Sequence, residues 1–426
     1  MYPALSIISF FVLLLLTVPV AIALGYGAII PGWFGAPVNT GQTVRTIVTA
    51  IDSFPFLAVP LFMMAGDLMT KGGLARRLFS FADALIGGLN GGLAIATVMA
   101  CMLFGAISGS SPATVAAIGA MAIPLLTKQG YDLRFATVLV TTAGTLGVIV
   151  PPSIPMIIYG MSANVSVSAL FIGGVFPALL IGGLLMCYAF WYGTRHKDRI
   201  ETDAGRVSKF RAFIDSFWAL LAPVIVLGGI YSGVFTPTEA AAIAVAYSAF
   251  VSIVVFRELT PLGVVRTVAG TALTIAPILI LAGTGAAIGR TLNLLGVPTM
   301  LGNLIGGNVS NELVLLLLIN VMLLVVGMVM ETLAAIIVLT PILLPLIAQY
   351  NVDPIHFGLI MTVNLAIGFI TPPVGSNLYI ASGLTGLSVV KIVQGLMVPL
   401  CLLLVGLLVI TFWPQLTLWL PSVVGN

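Results

Sequence analysis

Charged residues are scarce in this sequence: 7% of its 426 residues are Asp, Glu, Lys or Arg, against about 25% in an ordinary soluble domain. Hydrophobic residues make up 60%, and the mean hydropathy is +1.21. This composition excludes a water-soluble fold. The hydrophobic runs are apolar on every side, whereas strands of a lipid-facing barrel alternate between apolar and polar residues. The sequence therefore predicts an all-α polytopic protein whose helices cross a membrane many times.

Cysteine and histidine are also rare, with three and two residues. The cysteines lie far apart in apolar runs and the histidines have no neighbouring ligand, so the sequence indicates no disulfide framework, metal centre or haem site. A net charge of +3, without a basic stretch that carries aromatic residues, gives no indication of nucleic-acid binding. The apolar segment 5–24 is longer than the apolar part of a signal peptide and lacks a preceding basic region. It is interpreted as part of the first membrane span.

The basic residues predict an orientation in the membrane. Six of the sixteen Lys and Arg residues lie in one polar linker, 194–213, which the positive-inside rule places in the cytoplasm. Counting spans outward from this linker puts eight more basic residues on the same side and leaves only Arg45 and Arg290 outside. The spans used in this count are 5–30, 46–69, 133–161, 170–192, 217–235, 239–256, 264–288, 357–382 and 390–410.

The chain contains an internal repeat. Residues 124–153 align with 345–374 at a separation of 221, and eight of the thirty positions are identical, including an Asp, a Gly and a Pro-Pro pair. The span count places Asp132 inside and Asp353 outside, so the two copies are predicted to cross the membrane in opposite directions, as in many secondary transporters. The predicted organisation is a first repeat at 1–193, a linker and connecting helix at 194–235, and a second repeat at 236–426.

Each repeat contains a span interrupted by two consecutive prolines. Proline removes a backbone donor and costs about 3 kcal/mol in a helix interior, so the Pro-Pro pairs are predicted to break the spans 133–161 and 357–382 near the membrane midplane. Ser153 and Ser376 lie just after the pairs, where a hydroxyl can cap the second half-helix. The alternative is a simple kink, which is less favoured because the pairs occur at matched positions.

Before each broken span lies a hydrophobic stretch that is too long for one crossing and polar in its middle, at 91–126 and 312–347. Both stretches are predicted to be re-entrant hairpins. The first would turn at 108–112, with Ser111 as N-cap, and the second at 328–332, with Thr332 as N-cap. A charge at the bilayer centre costs about 2.5–3.5 kcal/mol, so Glu331 should face protein or water, either as a functional group or as a partnered structural acid.

The hairpin tips and helix breaks are expected to meet near the membrane centre. They bring hydroxyls, free carbonyls and helix ends together, while no Lys or Arg lies in the predicted middle of a span. Carbonyl ends of half-helices suit Na⁺, and amide ends suit a carboxylate. Glu331 is the one strong candidate for a proton-coupling group, so sodium coupling is favoured over proton coupling.

At four motifs the chain resembles the large membrane subunit of tripartite ATP-independent periplasmic (TRAP) transporters: Ser-Gly-Ser-Ser-Pro-Ala-Thr at 108–114, Gly-Val-Ile-Val-Pro-Pro-Ser at 147–153, Met-Glu-Thr at 330–332 and Thr-Pro-Pro-Val-Gly-Ser-Asn at 371–377. The resemblance covers essentially the whole chain. It implies an inverted-repeat, elevator-type carrier of the bacterial inner membrane with two re-entrant hairpins and two broken helices. It also implies import of an organic acid on a sodium gradient, together with a small four-helix membrane subunit and a periplasmic binding protein. Overall similarity, without a specific motif, favours sialic acid over C4-dicarboxylates.

The resemblance also implies where ligands bind. One Na⁺ would lie between the first tip and the first break, at Ser108, Ser110, Ser111, Gly147, Val150 and Pro151. A second Na⁺ would lie between the second tip and the second break, at Glu331, Thr332, Gly368, Thr371 and Gly375. The substrate would lie between them, at Thr145, Ser153, Asn364, Ser376 and Asn377.

The main alternative is a channel for an ion or a small solute, because broken helices also line pores. An enzyme is disfavoured because the sequence shows neither a Ser-His-Asp set nor a cluster of metal ligands.

Overall fold

The structure is a computed structural model that describes residues 1–196, 208–297, 299–300 and 311–424. Much of the predicted cytoplasmic linker, 197–207, lies outside the described residues. Within the described ranges the secondary structure is entirely helical. Eight helical segments there are long and apolar enough to cross a membrane, and a bent pair of helices near the carboxyl end is a ninth candidate. The chain is thus a multi-pass membrane protein.

The first half contains twelve helices. They are α1 (Tyr2–Leu15), α2 (Val20–Trp33), α3 (Thr40–Ile51), α4 (Ala58–Lys71), α5 (Leu74–Ile86), α6 (Gly92–Ser108), α7 (Ser111–Lys128), α8 (Leu133–Ala143), α9 (Leu146–Ile149), α10 (Ile154–Ala163), α11 (Val167–Gly173) and α12 (Val175–Arg195).

The second half contains ten described helices. They are α13 (Lys209–Tyr231), α14 (Pro237–Phe250), α15 (Pro261–Leu294), α16 (Glu312–Val329), α17 (Thr332–Ala348), α18 (Pro354–Gly368), α19 (Ser376–Thr385), α20 (Val389–Val393), α21 (Met397–Phe412) and α22 (Gln415–Val424). The last two form the bent pair, with an angle of 57° between them.

The predicted span 5–30 is wrong. It consists of two 14-residue helices, α1 and α2, that pack against each other. Fourteen residues rise about 21 Å, less than the roughly 30 Å hydrocarbon core. The chain turns between them because Thr17 adopts a positive φ of 60° and Pro19, in an extended conformation, precedes the first turn of α2.

The predicted span 46–69 is also interrupted. Helix α3 ends at Ile51, Ser53 is extended, and a short 3-10 turn at Phe54–Leu57 leads into α4. A shift of 221 residues maps 40–71 onto 261–292, which lies within the continuous helix α15. The two halves therefore differ at this point, although α2 packs on α15 as α14 packs on α4. The opposite orientation of the repeats in the membrane stays a prediction.

Both predicted hairpins are pairs of helices joined by two residues: α6 and α7 meet at Gly109 and Ser110, and α16 and α17 meet at Met330 and Glu331. Both predicted breaks are present. Residues 150–153 interrupt the first broken helix and 369–375 the second, and the Pro-Pro peptide bond within each is cis. Extended backbone of this kind is tolerated at membrane depth where protein surrounds it. The first break meets this condition at residues 151–153, which are all buried, whereas residues 371–374 of the second break are partly buried or exposed.

The two halves interlock around the breaks. The half-helix that follows each break packs on the second arm of the hairpin in the other half: α10 contacts α17, and α19 contacts α7. The first arm of each hairpin packs on the broken helix of its own half, α6 on α9 and α16 on α18. The tips and breaks of both halves are thereby held in one region of the molecule.

Candidate functional site at the hairpin tips and helix breaks

The first hairpin tip is a tight turn made by Gly109, which adopts a left-handed conformation with φ +59°. Ser110, and not Ser111 as predicted, is the N-cap of α7, because its Oγ accepts a hydrogen bond from the Ala113 amide at 3.4 Å. The Ser110 carbonyl accepts from Thr114 Oγ1 at 2.8 Å, and Ser108 Oγ lies 3.3 Å from that hydroxyl. Thr114 is a tip residue that the sequence analysis missed, although it belongs to the quoted 108–114 motif.

The first tip is in backbone contact with the first break. The Ile154 amide, directly after the break, donates to the Gly109 carbonyl at 3.3 Å. A Cβ at Gly147 would lie 2.5 Å from the Ser110 carbonyl oxygen, so only glycine allows this approach. The structure therefore brings together Ser108, Ser110 and Gly147, three of the residues that the sequence analysis assigns to the first cation site. Val150 and Pro151 lie in the extended segment just beyond.

Glu331 caps the second hairpin helix. Its Oε2 accepts hydrogen bonds from the Leu333 and Ala334 amides at 2.9 and 3.1 Å, and its negative charge lies at the amide end of α17, where it is stabilising. The predicted cap, Thr332, is one residue too late; its hydroxyl instead points to the Leu365 carbonyl of α18 at 3.5 Å. Glu331 is exposed, and these two hydrogen bonds are those of a helix cap.

The second tip also contacts the second break. The Val374 amide donates to the Met328 carbonyl at 3.1 Å. A Cβ at Gly368 would lie 2.5 Å from the Gly327 carbonyl oxygen, just as Gly105 and Gly147 meet in the first half. Thr371 and Gly375 lie in the break, and the Thr371 hydroxyl donates to the Ile367 carbonyl at 2.8 Å. Each half thus has a glycine pair that lets a hairpin arm touch a broken helix.

Asn377 links the two halves at this site. It is fully buried, and its Nδ2 donates to Ser111 Oγ at 2.8 Å and to the Thr141 carbonyl at 3.2 Å. The residue at the equivalent position in the first half, 221 residues earlier, is Met156, which cannot make such bonds. Asn377 therefore joins the half-helix after the second break to the first hairpin tip. Met156, at the matching position after the first break, cannot make such a hydrogen bond to the second tip.

Three of the five predicted substrate residues carry buried polar atoms without a hydrogen-bond partner: Asn364 Oδ1, Ser376 Oγ and Asn377 Oδ1. Leaving such an atom unpaired costs about 1–3 kcal/mol. The other two are satisfied internally, since the Thr145 hydroxyl donates to the Thr142 carbonyl at 2.7 Å and that of Ser153 to the Val148 carbonyl at 2.5 Å. Neither Ser153 nor Ser376 caps a half-helix with its side chain, contrary to prediction.

A buried polar chain behind Asn364 was not predicted. The Asn364 amide donates to Asn320 Oδ1 at 2.7 Å, and the Asn320 amide donates to Thr411 Oγ1 at 3.0 Å. His356 lies 2.8 Å from Thr417 Oγ1 through Nδ1. Asn320 could have been found in the sequence, because it is the one side-chain amide within the apolar run of α16. Its hydrogen bond to Asn364 fixes the orientation of the Asn364 side chain.

Within the described ranges there is no group of three or more His, Cys, Asp or Glu side chains that could hold a metal ion. A cation at the tips and breaks would therefore be held mainly by neutral hydroxyl, amide and carbonyl oxygens. Na⁺ is a hard cation that suits such ligands.

A multi-pass helical chain with two interrupted helices around a buried polar centre has the architecture of a membrane transporter. Two solved transporter structures share this fold. YdaH of Alcanivorax borkumensis aligns with a TM-score of 0.66 over 88% of this chain and 89% of that one, at 16% identity. MtrF of Neisseria gonorrhoeae aligns with a TM-score of 0.64 over 87% and 84%, at 13% identity.

The chain belongs to the family of the DctM component of tripartite ATP-independent periplasmic transporters, whose family profile matches residues 7–416. The predicted resemblance to TRAP large subunits is thereby confirmed. Members of this family that resemble the chain are permeases and not enzymes.

Curated relatives carry several substrate names. The isethionate TRAP transporter permease DctMQ of Oleidesulfovibrio alaskensis is 43% identical over 96% of this chain, and this chain spans 65% of that relative's length. The C4-dicarboxylate large permease DctM of Pseudomonas aeruginosa is 40% identical over 88% of each chain. The 2,3-diketo-L-gulonate large permease YiaN of Escherichia coli is 36% identical over 87% of this chain and 88% of that one. None of these three names sialic acid.

Proposed function

We propose that this chain imports an organic acid coupled to Na⁺, by alternating access. The observation that carries the proposal is the set of three unpaired buried oxygens around the second break, Asn364 Oδ1, Ser376 Oγ and Asn377 Oδ1. Buried polar atoms almost always have partners. The two amide oxygens can only accept, so the partners expected for them are a Na⁺ ion or a hydroxyl of the substrate, while the Ser376 hydroxyl can donate to the acid group. The names of the relatives that transport isethionate, C4-dicarboxylates and diketogulonate support an organic acid.

The proposed cation sites are those of the sequence analysis, one at each tip. The first is proposed at Ser108, Ser110, Ser111, Gly147, Val150 and Pro151, and the second at Glu331, Thr332, Gly368, Thr371 and Gly375. Since no Lys or Arg lies in either tip or break, the bound cations would supply the positive charge that an acidic substrate requires. This charge balance is a physical reason for sodium and substrate to bind together.

For transport, the two hairpins and two broken helices (α6–α10 and α16–α19) are proposed to move as one body, the transport body. The cross-packing of α10 on α17 and α19 on α7 supports a single body. It would move against a scaffold that includes α2–α4, α14 and α15, which pack on one another. The linker 194–213 is proposed to face the cytoplasm of a bacterial cell, and the chain to lie in the inner membrane.

A small membrane subunit and a periplasmic binding protein are proposed as partners, in keeping with the tripartite, periplasmic description of the family. The substrate is proposed to be a small organic acid, with sialic acid and C4-dicarboxylates as the two classes to compare first. The relatives' names give more support to small carboxylates and sulfonates.

The test is uptake of labelled sialic acid, C4-dicarboxylates and isethionate into vesicles that contain the chain and its two partners, with and without an inward Na⁺ gradient. We expect Na⁺-driven accumulation of one acid. The S111A/T332A double variant, which removes one hydroxyl from each tip, should insert normally but require about tenfold more Na⁺. Each proposed site loses one coordinating oxygen, a loss comparable to the roughly 1–1.5 kcal/mol of one polar contact. Unchanged sodium activation of this variant would contradict the proposed cation sites.

Counterflow separates the carrier from the channel. A carrier exchanges labelled for unlabelled substrate faster than it performs net transport. During exchange the binding site crosses back loaded with substrate, so the slower return of the empty site is not needed. An open pore shows no such acceleration, and this result would overturn the alternating-access proposal.

A further inference from the structure

A cavity that none of the tip or break residues lines is formed between the scaffold and the transport body. Its volume is about 340 Å³, within the lower part of the range of small-ligand pockets. One wall comes from the scaffold, at Ser53, Ala286 and Arg290, and the other from the transport body, at Ser162 of α10 and Pro341 of α17. None of the residues assigned above to the Na⁺ or substrate sites lines it.

The cavity lies beside a close contact between α15 and α17. A Cβ at Gly289 of α15 would lie 2.6 Å from Pro341 Cγ of α17, so the two helices touch through the bare backbone of α15. Arg290 follows Gly289 directly and is exposed. The contact therefore places a guanidinium at the junction between scaffold and transport body.

Arg290 has no acidic partner in the part of the chain that the structure describes. Its Nη1 donates one hydrogen bond, to Thr46 Oγ1 at 3.0 Å, and among the described residues the ion pairs of the protein involve Arg76, Arg77 and Glu258 but not Arg290. A guanidinium has five N–H donors arranged for bidentate binding of a planar anion. The remaining walls, such as Ile158 and Met161, are mainly apolar and suit a short carbon skeleton.

We infer that this cavity is an anion-binding vestibule in which Arg290 binds the carboxylate or sulfonate of an organic acid before the acid reaches the tips and breaks. The inference rests on the proposed function and adds the group that the central site lacks, a basic side chain. Arg290 is also one of the two basic residues that the span count places outside. The vestibule would thus receive the substrate on the side from which it is imported.

Uptake kinetics test the role of Arg290. With saturating Na⁺, R290Q should raise the substrate KM about tenfold. This is the effect expected when a charge-assisted hydrogen bond from a solvent-exposed side chain is lost. The maximal rate and the Na⁺ activation should change little. R290K, which keeps the charge but not the fork, should lie between R290Q and wild type. R45Q is the matched control, because Arg45 is exposed on the neighbouring α3 and does not line the cavity. Equal KM values for R290Q and R45Q would overturn the inference.

A second measurement does not depend on transport. S162C introduces a thiol in the cavity wall, in a background where the exposed Cys187 and Cys401 are replaced by serine. A negatively charged thiol reagent should react with it faster than a positively charged one, and R290Q should lower this rate ratio about tenfold, in the range of electrostatic effects on encounter. An unchanged ratio would show that Arg290 does not control the cavity. Absence of Na⁺-driven uptake by the wild type, with the ratio changed as expected, would refute the proposed function and leave an anion-binding cavity.

Discussion

At the scale of single residues, Asn377 has the most specific position in the site. Its side chain carries both a hydrogen bond to the first hairpin tip and an unpaired oxygen at the second break. A cation bound at the Ser111 tip, as proposed, would change the position or the hydrogen bonding of an amide that is also assigned to the proposed substrate site. This gives a physical connection between cation and substrate that passes through one amide.

Replacing Asn377 with alanine should weaken this connection. We expect N377A to raise both the Na⁺ requirement and the substrate KM by about tenfold or more, because a buried hydrogen bond and its partner are lost together. M156L changes the equivalent position of the other half and conserves volume, so it should change both quantities little. The check is the Na⁺-induced rise in melting temperature of the purified protein, which N377A should reduce and M156L should retain. A full Na⁺-induced rise in N377A would contradict the coupling role.

The positions of caps were predictable only to within one residue. Both errors have the same direction: Ser110 and Glu331 cap their helices, while the sequence favoured Ser111 and Thr332. Three serines close together offer no way to choose from residue type alone, and a glutamate is a less common cap than a threonine. The left-handed Gly109 fixes where α6 ends, and this conformation decides which serine follows as the cap.

At the scale of the helices, hydropathy and proline positions predict some helix breaks correctly and miss others. The Pro-Pro pairs do break their helices, yet Pro223 and Pro277 lie inside continuous helices α13 and α15. Pro19 is at the start of α2 and divides the predicted span 5–30. One proline is compatible with both outcomes, because packing around a helix can compensate for the lost hydrogen bond. Two prolines at matched positions of a repeat were the stronger signal.

The N-terminal cap of α17 gives a test at the scale of this element. If Glu331 acts only as a cap, E331Q keeps a side-chain oxygen for the Leu333 and Ala334 amides and should retain Na⁺-driven uptake. E331A removes the cap and should destabilise the protein by about 1 kcal/mol, seen as a lower melting temperature. A proton-coupling role predicts the opposite pattern for E331Q, with loss of uptake despite normal stability. Uptake measured for both variants at several pH values distinguishes the two roles.

At the scale of the whole molecule, the separation of 221 residues between matching motifs indicated two related halves. Which helices of one half pack on which helices of the other could not be predicted from the repeat in the sequence. The contacts of α10 with α17 and of α19 with α7 depend on how apolar surfaces fit, and nearly all surfaces in this chain are apolar. The bond from Asn377 to Ser111 joins residues 266 positions apart, and no spacing rule predicts it.

The proposed movement of the transport body past the scaffold can be tested at the contact between α15 and α17. A Cβ at Gly289 would lie 3.2 Å from Pro341 Cβ, near the roughly 3.5–4.5 Å found in disulfides. In a background without Cys187 and Cys401, the G289C/P341C variant should transport when reduced, lose nearly all uptake when oxidised, and recover with a reductant. G289C and P341C alone, treated identically, should not respond to the oxidant, which separates cross-linking from oxidation itself. Full uptake by the cross-linked protein would mean that α17 does not move relative to α15. Both helices would then belong to the same moving or stationary body, which contradicts the proposed division into scaffold and transport body.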